Sequence, residues 1–283
     1  MAKVIAICNQ KGGVGKTTTA INLSVYLALS GKRVLLIDID PQGNATSGLG
    51  INKHNIKASI YDLLIDEIDP NGVTIKTAIN NLSLIPSTIS LTGAEVELVG
   101  IMGREYRLKK ALSPISGTYD YIIIDCPPSL GLLTVNSLTV ANSVLIPIQC
   151  EYYALEGLSQ LVNTVNLVKE NLNANLGIEG VLLTMADFRT NLTTEVIKEV
   201  RNFFKGKVYE TIIPRNIRLT EAPGFGKPIA LYDKNSIGAQ KYHEFMNELL
   251  GVKKEIATNI IVEETPKPNN DNDLQQISEG EIK

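Results

Sequence analysis

The sequence contains no tryptophan, two histidines and three cysteines, and the cysteines form no CxxC pair. Cys8, Cys126 and Cys150 each lie within or at the end of an apolar run. This placement is typical of buried thiols, and a shared metal cluster is the alternative. No apolar run approaches the roughly 20 residues that span a bilayer, and no leader pattern precedes the first apolar run. A cytoplasmic protein is therefore predicted.

The sequence also lacks a strong charge of either sign. The formal net charge of the 283 residues is −3, so no overall basic field indicates nucleic acid, and a local basic patch would be required. From residue 253 onward, four lysines face seven acidic residues, so the rest of the chain is nearly neutral. We expect a folded domain over residues 1–251 and a polar, acidic, disordered tail over residues 252–283.

Short apolar runs alternate with longer helical patterns along the chain. The apolar runs are uniform rather than alternating, as in a parallel sheet that is covered on both faces. This order predicts an α/β fold with a doubly wound, mostly parallel sheet of about seven or eight strands flanked by helices. Residues 51–81 are predicted to be a variable insertion. Thr193 or Thr194 is predicted to cap the helix that follows, and Gly31 and Gly206 are predicted to end helices. The predicted strands are 3–8, 33–38, 82–86, 121–126, 143–148, 180–185 and 208–214, and the predicted helices are 15–29, 60–65, 91–111, 132–140, 154–172, 193–204 and 236–250.

The segment KGGVGKTT, residues 11–18, joins the first predicted strand to the first predicted helix. Its glycines let backbone N–H groups point into one concavity at a helix N-terminus, which suits a phosphate. In this pattern Lys16 reaches the β and γ phosphates, and the Thr17 hydroxyl binds Mg²⁺. The usual pattern has glycine where this chain has Gln10, and a glycine turn that merely joins strand to helix is the alternative. The predicted nucleotide-contacting residues are Lys11, Gly12, Gly13, Val14, Gly15, Lys16, Thr17 and Thr18.

Aspartates follow two further predicted strands. Asp38 and Asp40 follow the second strand, and Asp125 ends the run YDYIIID. Ligands of such sheets bind at the carboxyl ends of the strands, so Asp40 and Asp125 are predicted to hold Mg²⁺, through water, or to orient an attacking water. A simple chain reversal would explain Pro41 and Gly43 but not two spaced carboxylates.

The base of the nucleotide is predicted from a negative and a positive observation. No N-K-x-D tetrapeptide occurs, so adenine is favoured over guanine. The run Ile213 to Asn216 follows the last predicted strand, where a base could rest against Pro214 and accept or donate a hydrogen bond at Asn216.

Together, KGGVGKTT, DIDPQGNATSGLG, YIIIDCPPSLG, CEYYALEGL and NIRLTEAPGFGKPI resemble the ParA/Soj family of chromosome and plasmid partitioning ATPases. The resemblance covers about residues 1–251. It implies a P-loop NTPase that closes as a homodimer around ATP and Mg²⁺, with Lys11 reaching the partner's phosphates and Gly12 allowing close approach. Lys16, Asp40 and Asp125 complete the implied catalytic set, and Pro214 and Asn216 match adenine contacts.

The resemblance further implies non-specific binding of double-stranded DNA, association with the nucleoid and a ParB-type partner that stimulates hydrolysis. Arg189 and Arg218 match the family's DNA-contacting arginines, and Lys198, Arg201 and Lys205 lie at helical spacing nearby. A solvated helix face that pairs locally with Glu195 and Glu199 is the alternative.

Two other function classes share the first motif. One is a MinD-like, membrane-associated regulator of cell division, although the tail lacks the basic amphipathic helix of that group, so no stable membrane association is expected. The other is a metabolic or redox enzyme, such as a nitrogenase-type reductase or an amide-forming ligase.

Overall fold

A computed structural model describes residues 2–152 and 157–252 of the chain. Its central feature is a seven-stranded sheet with the order β3-β4-β2-β5-β1-β6-β7. Every strand pair is parallel except β3 with β4, which is antiparallel. The strands are β1 (Lys3–Ile7), β2 (Val34–Asp38), β3 (Ile75–Lys76), β4 (Leu82–Ile85), β5 (Tyr121–Asp125), β6 (Ser143–Gln149) and β7 (Gly177–Thr184).

Helices cover both faces of this sheet, and each face has its own apolar core. The residues of β2 are all buried, which explains why its sequence is apolar throughout. The predicted fold class is confirmed. The α-helices are α1 (Lys16–Leu29), α2 (Asn44–Gly48), α3 (Ile60–Ile65), α4 (Pro70–Val73), α5 (Leu91–Glu97), α6 (Arg107–Leu112), α7 (Leu132–Val140), α8 (Leu158–Asn171), α9 (Asn191–Phe204), α10 (Ile217–Glu221), α11 (Ile229–Tyr232) and α12 (Ile237–Leu249). Short 3-10 helices are Lys53–Asn55, Leu98–Gly100, Arg104–Tyr106, Ser113–Ile115 and Ala222–Phe225.

The strand predicted over residues 208–214 does not form. This segment makes only two isolated parallel bridges beside β7, at Val208 and at Pro214. Between them, the N–H groups of Glu210 and Thr211 donate to the carboxylate of Glu248 in α12, at 2.7 and 2.9 Å. At these two residues a side chain of a distant helix thus takes the place of pairing with a strand, which apolar patterning does not reveal.

Two other predictions of local structure are wrong. The helix predicted over residues 91–111 is broken between α5 and α6, because Gly103 has φ +68° and turns the chain there. Helix α9 begins at Asn191 and is capped by the Thr190 hydroxyl, which accepts from the Thr193 N–H, so neither Thr193 nor Thr194 is the cap. The supposed insertion over residues 51–81 contributes α3, α4 and the edge strand β3.

The three cysteines are buried free thiols, as predicted. Cys8 and Cys126 directly follow the neighbouring strands β1 and β5, and their Sγ atoms lie 3.1 Å apart. Within residues 2–152 and 157–252, no helix has both the length and the apolar character that a membrane span requires. The predicted tail lies outside the described residues except for Val252, and the domain boundary at Gly251 stays a prediction.

Candidate nucleotide-binding site

The glycine-rich loop leads from the buried strand β1 into the N-terminus of α1. Gly13 and Gly15 adopt φ +74° and +86°, conformations that side chains disfavour, so the loop can curl tightly. The Lys16 side chain is buried, and its Nζ donates to the Lys11 carbonyl at 3.0 Å. Burial lowers the pKa of Lys16, and the nearby negative charge of Asp125 opposes this shift. The loop therefore holds a desolvated cation beneath its N–H groups.

A cleft of about 520 Å³ opens above this loop. That volume is in the range of small-molecule sites. The cleft brings together nine of the predicted nucleotide and metal residues, from both the phosphate end and the base end. They are Gly12, Gly13, Gly15, Lys16, Thr17, Thr18, Asp40, Pro214 and Asn216.

Lys11 and Val14 are placed differently. Lys11 lines a second cavity with Gln10 and Gly157, and Pro128 borders both this cavity and the main cleft. Val14 is buried, and its carbonyl accepts a 2.9 Å hydrogen bond from the Thr184 hydroxyl. The Val14 side chain thus supports the loop from below, whereas Lys11 lies beside the cleft.

Asp125 is fully buried at the end of β5, where it pairs in register with Asp38 at the end of β2. Neither oxygen of Asp125 has a hydrogen-bond partner of good geometry among the described residues. Burial and then the charge of Asp38 raise the pKa of Asp125 well above its ordinary value, and the nearby Thr17 hydroxyl opposes the shift. A buried, unpaired carboxylate beside a hydroxyl fits a bound cation such as Mg²⁺, whose preferred ligands are oxygens.

Asp38 and Asp40 face in different directions. Asp40 lines the cleft, and its Oδ1 accepts the Gln42 N–H at 2.9 Å. Asp38 is fully buried and lines no part of the cleft. Its Oδ2 accepts both the N–H and the hydroxyl of Thr46, at 2.8 and 2.7 Å. Burial raises the pKa of Asp38 to about 6, although these hydrogen bonds oppose the shift.

At the base end, the predicted residue Asn216 lies among several residues that the sequence did not predict. Asn216 caps α10, since its Oδ1 accepts the Leu219 N–H at 3.2 Å. Thr184 ends β7 and Met185 follows it, so the rule that ligands bind at the carboxyl ends of strands could have found both. Leu219, Thr220, Pro223 and Tyr242 carried no such signal, because only folding brings their segments to the cleft.

The residues predicted to contact DNA lie outside the cleft, on the surface. Arg189 is 86% exposed and pairs with Asp187 at 2.6 Å. Arg218 pairs with Glu221 at 3.0 Å, and Arg201 pairs with Glu210 at 2.8 Å. Lys198 and Lys205 are exposed on or directly after α9, whose Val196, Val200 and Phe204 face inward. Within the described part of the chain, neither lysine pairs with Glu195 or Glu199.

A glycine-rich loop between a central parallel strand and a helix, with aspartates at the ends of the adjacent strands, defines the protein as a P-loop NTPase. A family model described as an AAA domain matches residues 2–178. The chain belongs to the ParA/Soj family of partitioning ATPases.

Two curated relatives carry that family assignment. The sporulation initiation inhibitor protein Soj of Bacillus subtilis (strain 168) is 61% identical over 259 residues, which cover 92% of this chain and 100% of that protein. The chromosome partitioning protein ParA of Myxococcus xanthus (strain DK1622) is 56% identical over 250 residues, 88% of either chain.

A solved structure with the same fold contains a nucleotide and a metal ion. It is the cobyrinic acid a,c-diamide synthase of Mycobacterium smegmatis, with a bound ATP analogue and magnesium. It is 38% identical with a TM-score of 0.78, and the match covers 88% of this chain and 95% of that one.

Proposed function

We propose that this protein is a partitioning ATPase that binds ATP and Mg²⁺ in the cleft, dimerises, binds DNA and is released after hydrolysis. The observation that carries this proposal is the buried charge beneath the loop. Lys16 is desolvated, and Asp125 is buried without a hydrogen-bond partner of good geometry. Such groups cost free energy in an empty site and regain it when a phosphate and a cation arrive.

The residues of the cleft and those beneath it have separate roles in binding phosphate, metal, water and adenine. The loop N–H groups and Lys16 bind the phosphates, while Thr17 and, through water, Asp40 and Asp125 would hold the metal. When bound, Mg²⁺ neutralises charge on the phosphate oxygens. Asp40 orients the attacking water from the cleft wall, and Pro214 and Asn216 contact the adenine.

The dimer is supported by a contrast among the loop glycines. A Cβ at Gly12 would meet no atom within 4 Å in the described part of the chain, and its φ is not in the left-handed region. Gly13 and Gly15 need glycine for their backbone conformation, but nothing in the described part of one protomer requires it at Gly12. Close approach of a second copy supplies the missing reason. Lys11, beside the cleft, then reaches the partner's phosphates and acts in catalysis.

DNA binding is assigned to Arg189 and Arg218, with Lys198, Arg201 and Lys205 on or after α9. Dimerisation doubles this set of cations, and phosphate contacts alone give sequence-blind, salt-dependent binding. On this proposal the ATP-bound dimer associates with the nucleoid, and a ParB-type partner stimulates its release.

The test is ATP hydrolysis measured with the protein alone, with DNA, with a ParB-type protein from the same organism, and with both. We expect DNA and the partner together to raise the rate more than either one alone. A rate that responds to neither contradicts the partitioning role. Co-sedimentation with anionic liposomes in ATP, without DNA retention, would instead favour the MinD-like alternative.

The diamide synthase neighbour favours one second candidate, an amide-forming ligase, although its identity of 38% is well below the 61% of Soj. The same assay discriminates the two functions. A ligase would hydrolyse ATP in response to a carboxylic acid and an ammonia donor, and DNA would have no effect.

A further inference from the structure

The segment that carries Asp40 is held at both ends by one carboxylate. Asp38 Oδ1 accepts the N–H of Asp40 at 3.3 Å. Asp38 Oδ2 accepts the N–H and the hydroxyl of Thr46. Asp38 and Asp125 are equally buried, but among the described residues only the Asp38 oxygens already accept hydrogen bonds of good geometry, and all of these come from this segment, so Asp38 acts on the segment and not on a ligand.

The Thr46 hydroxyl extends the network to another strand. It accepts the N–H of Ser87 at 3.0 Å, and Ser87 follows β4, the neighbour of β2. Thr46 and Ser87 are both fully buried. One hydroxyl therefore joins the end of β2, the start of α2 and the segment after β4. The Ser87 hydroxyl itself has no hydrogen-bond partner among the described residues, so its backbone N–H makes the link to Thr46. Buried hydrogen bonds of this kind fix local geometry.

Within the segment, further contacts transmit this restraint to Asp40. The Gln42 N–H donates to Asp40 Oδ1, and the Gly43 N–H donates to the Asp40 carbonyl, each at 2.9 Å. Lys53 Nζ donates to the Gln42 carbonyl at 2.8 Å. The position of the Asp40 carboxylate thus depends on where the two ends of the segment are held.

We propose that Thr46 and Asp38 are positioning residues that hold Asp40 for ATP hydrolysis, an inference that rests on the proposed function. Replacing the Thr46 hydroxyl by a methyl group leaves the buried Ser87 N–H without its acceptor and removes one donor from Asp38. The segment then shifts, and displacements of about 1 Å in catalytic geometry can cost about 100-fold in rate. Neither residue belongs to the phosphate cradle, so nucleotide affinity is preserved.

The first experiment compares Thr46→Val with Thr46→Ser and with Thr139→Val. Thr139 is an equally buried threonine whose hydroxyl donates to the Val135 carbonyl within α7, so it controls for loss of a buried hydroxyl. ATP hydrolysis and binding of a fluorescent ATP analogue are measured for each. Thr46→Val should lower kcat about 10- to 100-fold and change the Kd less than about twofold. Thr46→Ser should restore kcat, and Thr139→Val should match the wild type.

A double-mutant cycle then tests whether Thr46 acts through Asp40. In single-turnover hydrolysis, Thr46→Val should change the residual rate of Asp40→Ala less than about twofold. An equal loss in both backgrounds, an unchanged kcat in Thr46→Val, or a loss confined to nucleotide affinity would overturn the inference. If Thr46→Val does not fold, Asp38→Asn is used, because it keeps the shape of the side chain and should lower kcat in the same way. A wild type without ATP hydrolysis would refute the proposed function itself.

Discussion

The two sets of charges that we propose bind nucleotide and DNA differ in their surroundings. At the phosphate end of the cleft, Lys16 and Asp125 are buried, and Asp125 lacks a hydrogen-bond partner of good geometry. On the surface, Arg189 and Arg218 are exposed, and each already pairs with a carboxylate of its own region. A buried charge without a partner requires an explanation, because its desolvation costs free energy, whereas an exposed pair is close to neutral energetically.

Because of this contrast, the structure of one chain supports a ligand in the cleft more strongly than it supports DNA at the surface arginines. The cleft implies a ligand by its own energetics, since its charges are incompletely compensated. The arginines indicate DNA only through the family resemblance, because a solvated pair such as Arg218 with Glu221 is equally compatible with a surface that binds nothing. Substituting a charged residue of each region, and a residue of the same type outside it as a control, can therefore test whether the two regions differ in this way.

The largest expected effect is that of Lys16→Ala. It removes the buried cation that we propose binds the phosphates, and a charge-assisted contact of about 3 kcal/mol corresponds to about a 100-fold loss of nucleotide affinity. Titration with a fluorescent ATP analogue measures this loss. Lys32→Ala, at an exposed position just after α1, is the control and should bind as the wild type does. Tight binding by Lys16→Ala would show that the cation beneath the loop is not part of the site.

Asp40→Ala should separate binding from hydrolysis. The Asp40 side chain lines the cleft but lies outside the glycine loop, so we expect ATP affinity to persist while kcat falls about 100-fold. The variant should then accumulate as an ATP-bound dimer, which size-exclusion chromatography in ATP detects. Turnover at the wild-type rate would mean that another residue orients the water.

Arg218→Glu tests the surface region and has a close match in Arg33→Glu. Arg218 and Arg33 are 54% and 56% exposed, and each pairs with a carboxylate. Arg33 precedes β2, at the opposite edge of the sheet from the cleft. We expect Arg218→Glu to weaken ATP-dependent DNA binding about tenfold and to make its salt dependence shallower. Fluorescence anisotropy over a salt series measures both effects, and equal affinities for the two variants would remove Arg218 from the DNA site.

The smallest effect is expected on the stability of the nucleotide-free protein. Because the pKa of Asp125 is raised on folding, the folded state binds its proton more tightly, and this carboxyl lowers stability as the pH rises above about 4. Asp125→Asn should therefore raise the Tm at pH 7 by about 2–4 °C, equivalent to about 1 kcal/mol, with a smaller gain toward pH 4.

Asp120→Asn is the control for this measurement. Hydrogen bonds from Arg33 lower the pKa of Asp120 to about 2, so its charge favours folding at neutral pH and its loss should not raise the Tm. Calorimetry at several pH values, with and without Mg²⁺ and ATP, checks both variants. A lower Tm for Asp125→Asn without ligand would show that the buried carboxylate is compensated within the protein.

The strand-to-helix order and the loop were predictable because they depend on local patterning. The apolar run of β1, the glycines after it and the helical periodicity of α1 are all written within about 30 residues. The broken helix after α5 and the absent strand beside β7 were not predictable, because the break depends on the conformation of Gly103 and the strand is replaced by contacts with Glu248. The hydrophobic pattern of a segment indicates that it is buried. It does not indicate which part of the protein the segment contacts.

The sequence by itself determined that this protein has a phosphate loop between a buried strand and a helix, with aspartates after two further strands. Only the tertiary structure decided that Asp40 faces the cleft, while Asp38 is buried and accepts hydrogen bonds from Thr46. Alternation cannot separate these roles, because Asp38 ends β2 and Asp40 lies two residues later, a spacing that places both side chains on one face of an extended chain. The difference arises from how the segment after β2 folds back, because its N–H and hydroxyl groups donate to Asp38 while the Asp40 side chain lies at the wall of an open cleft.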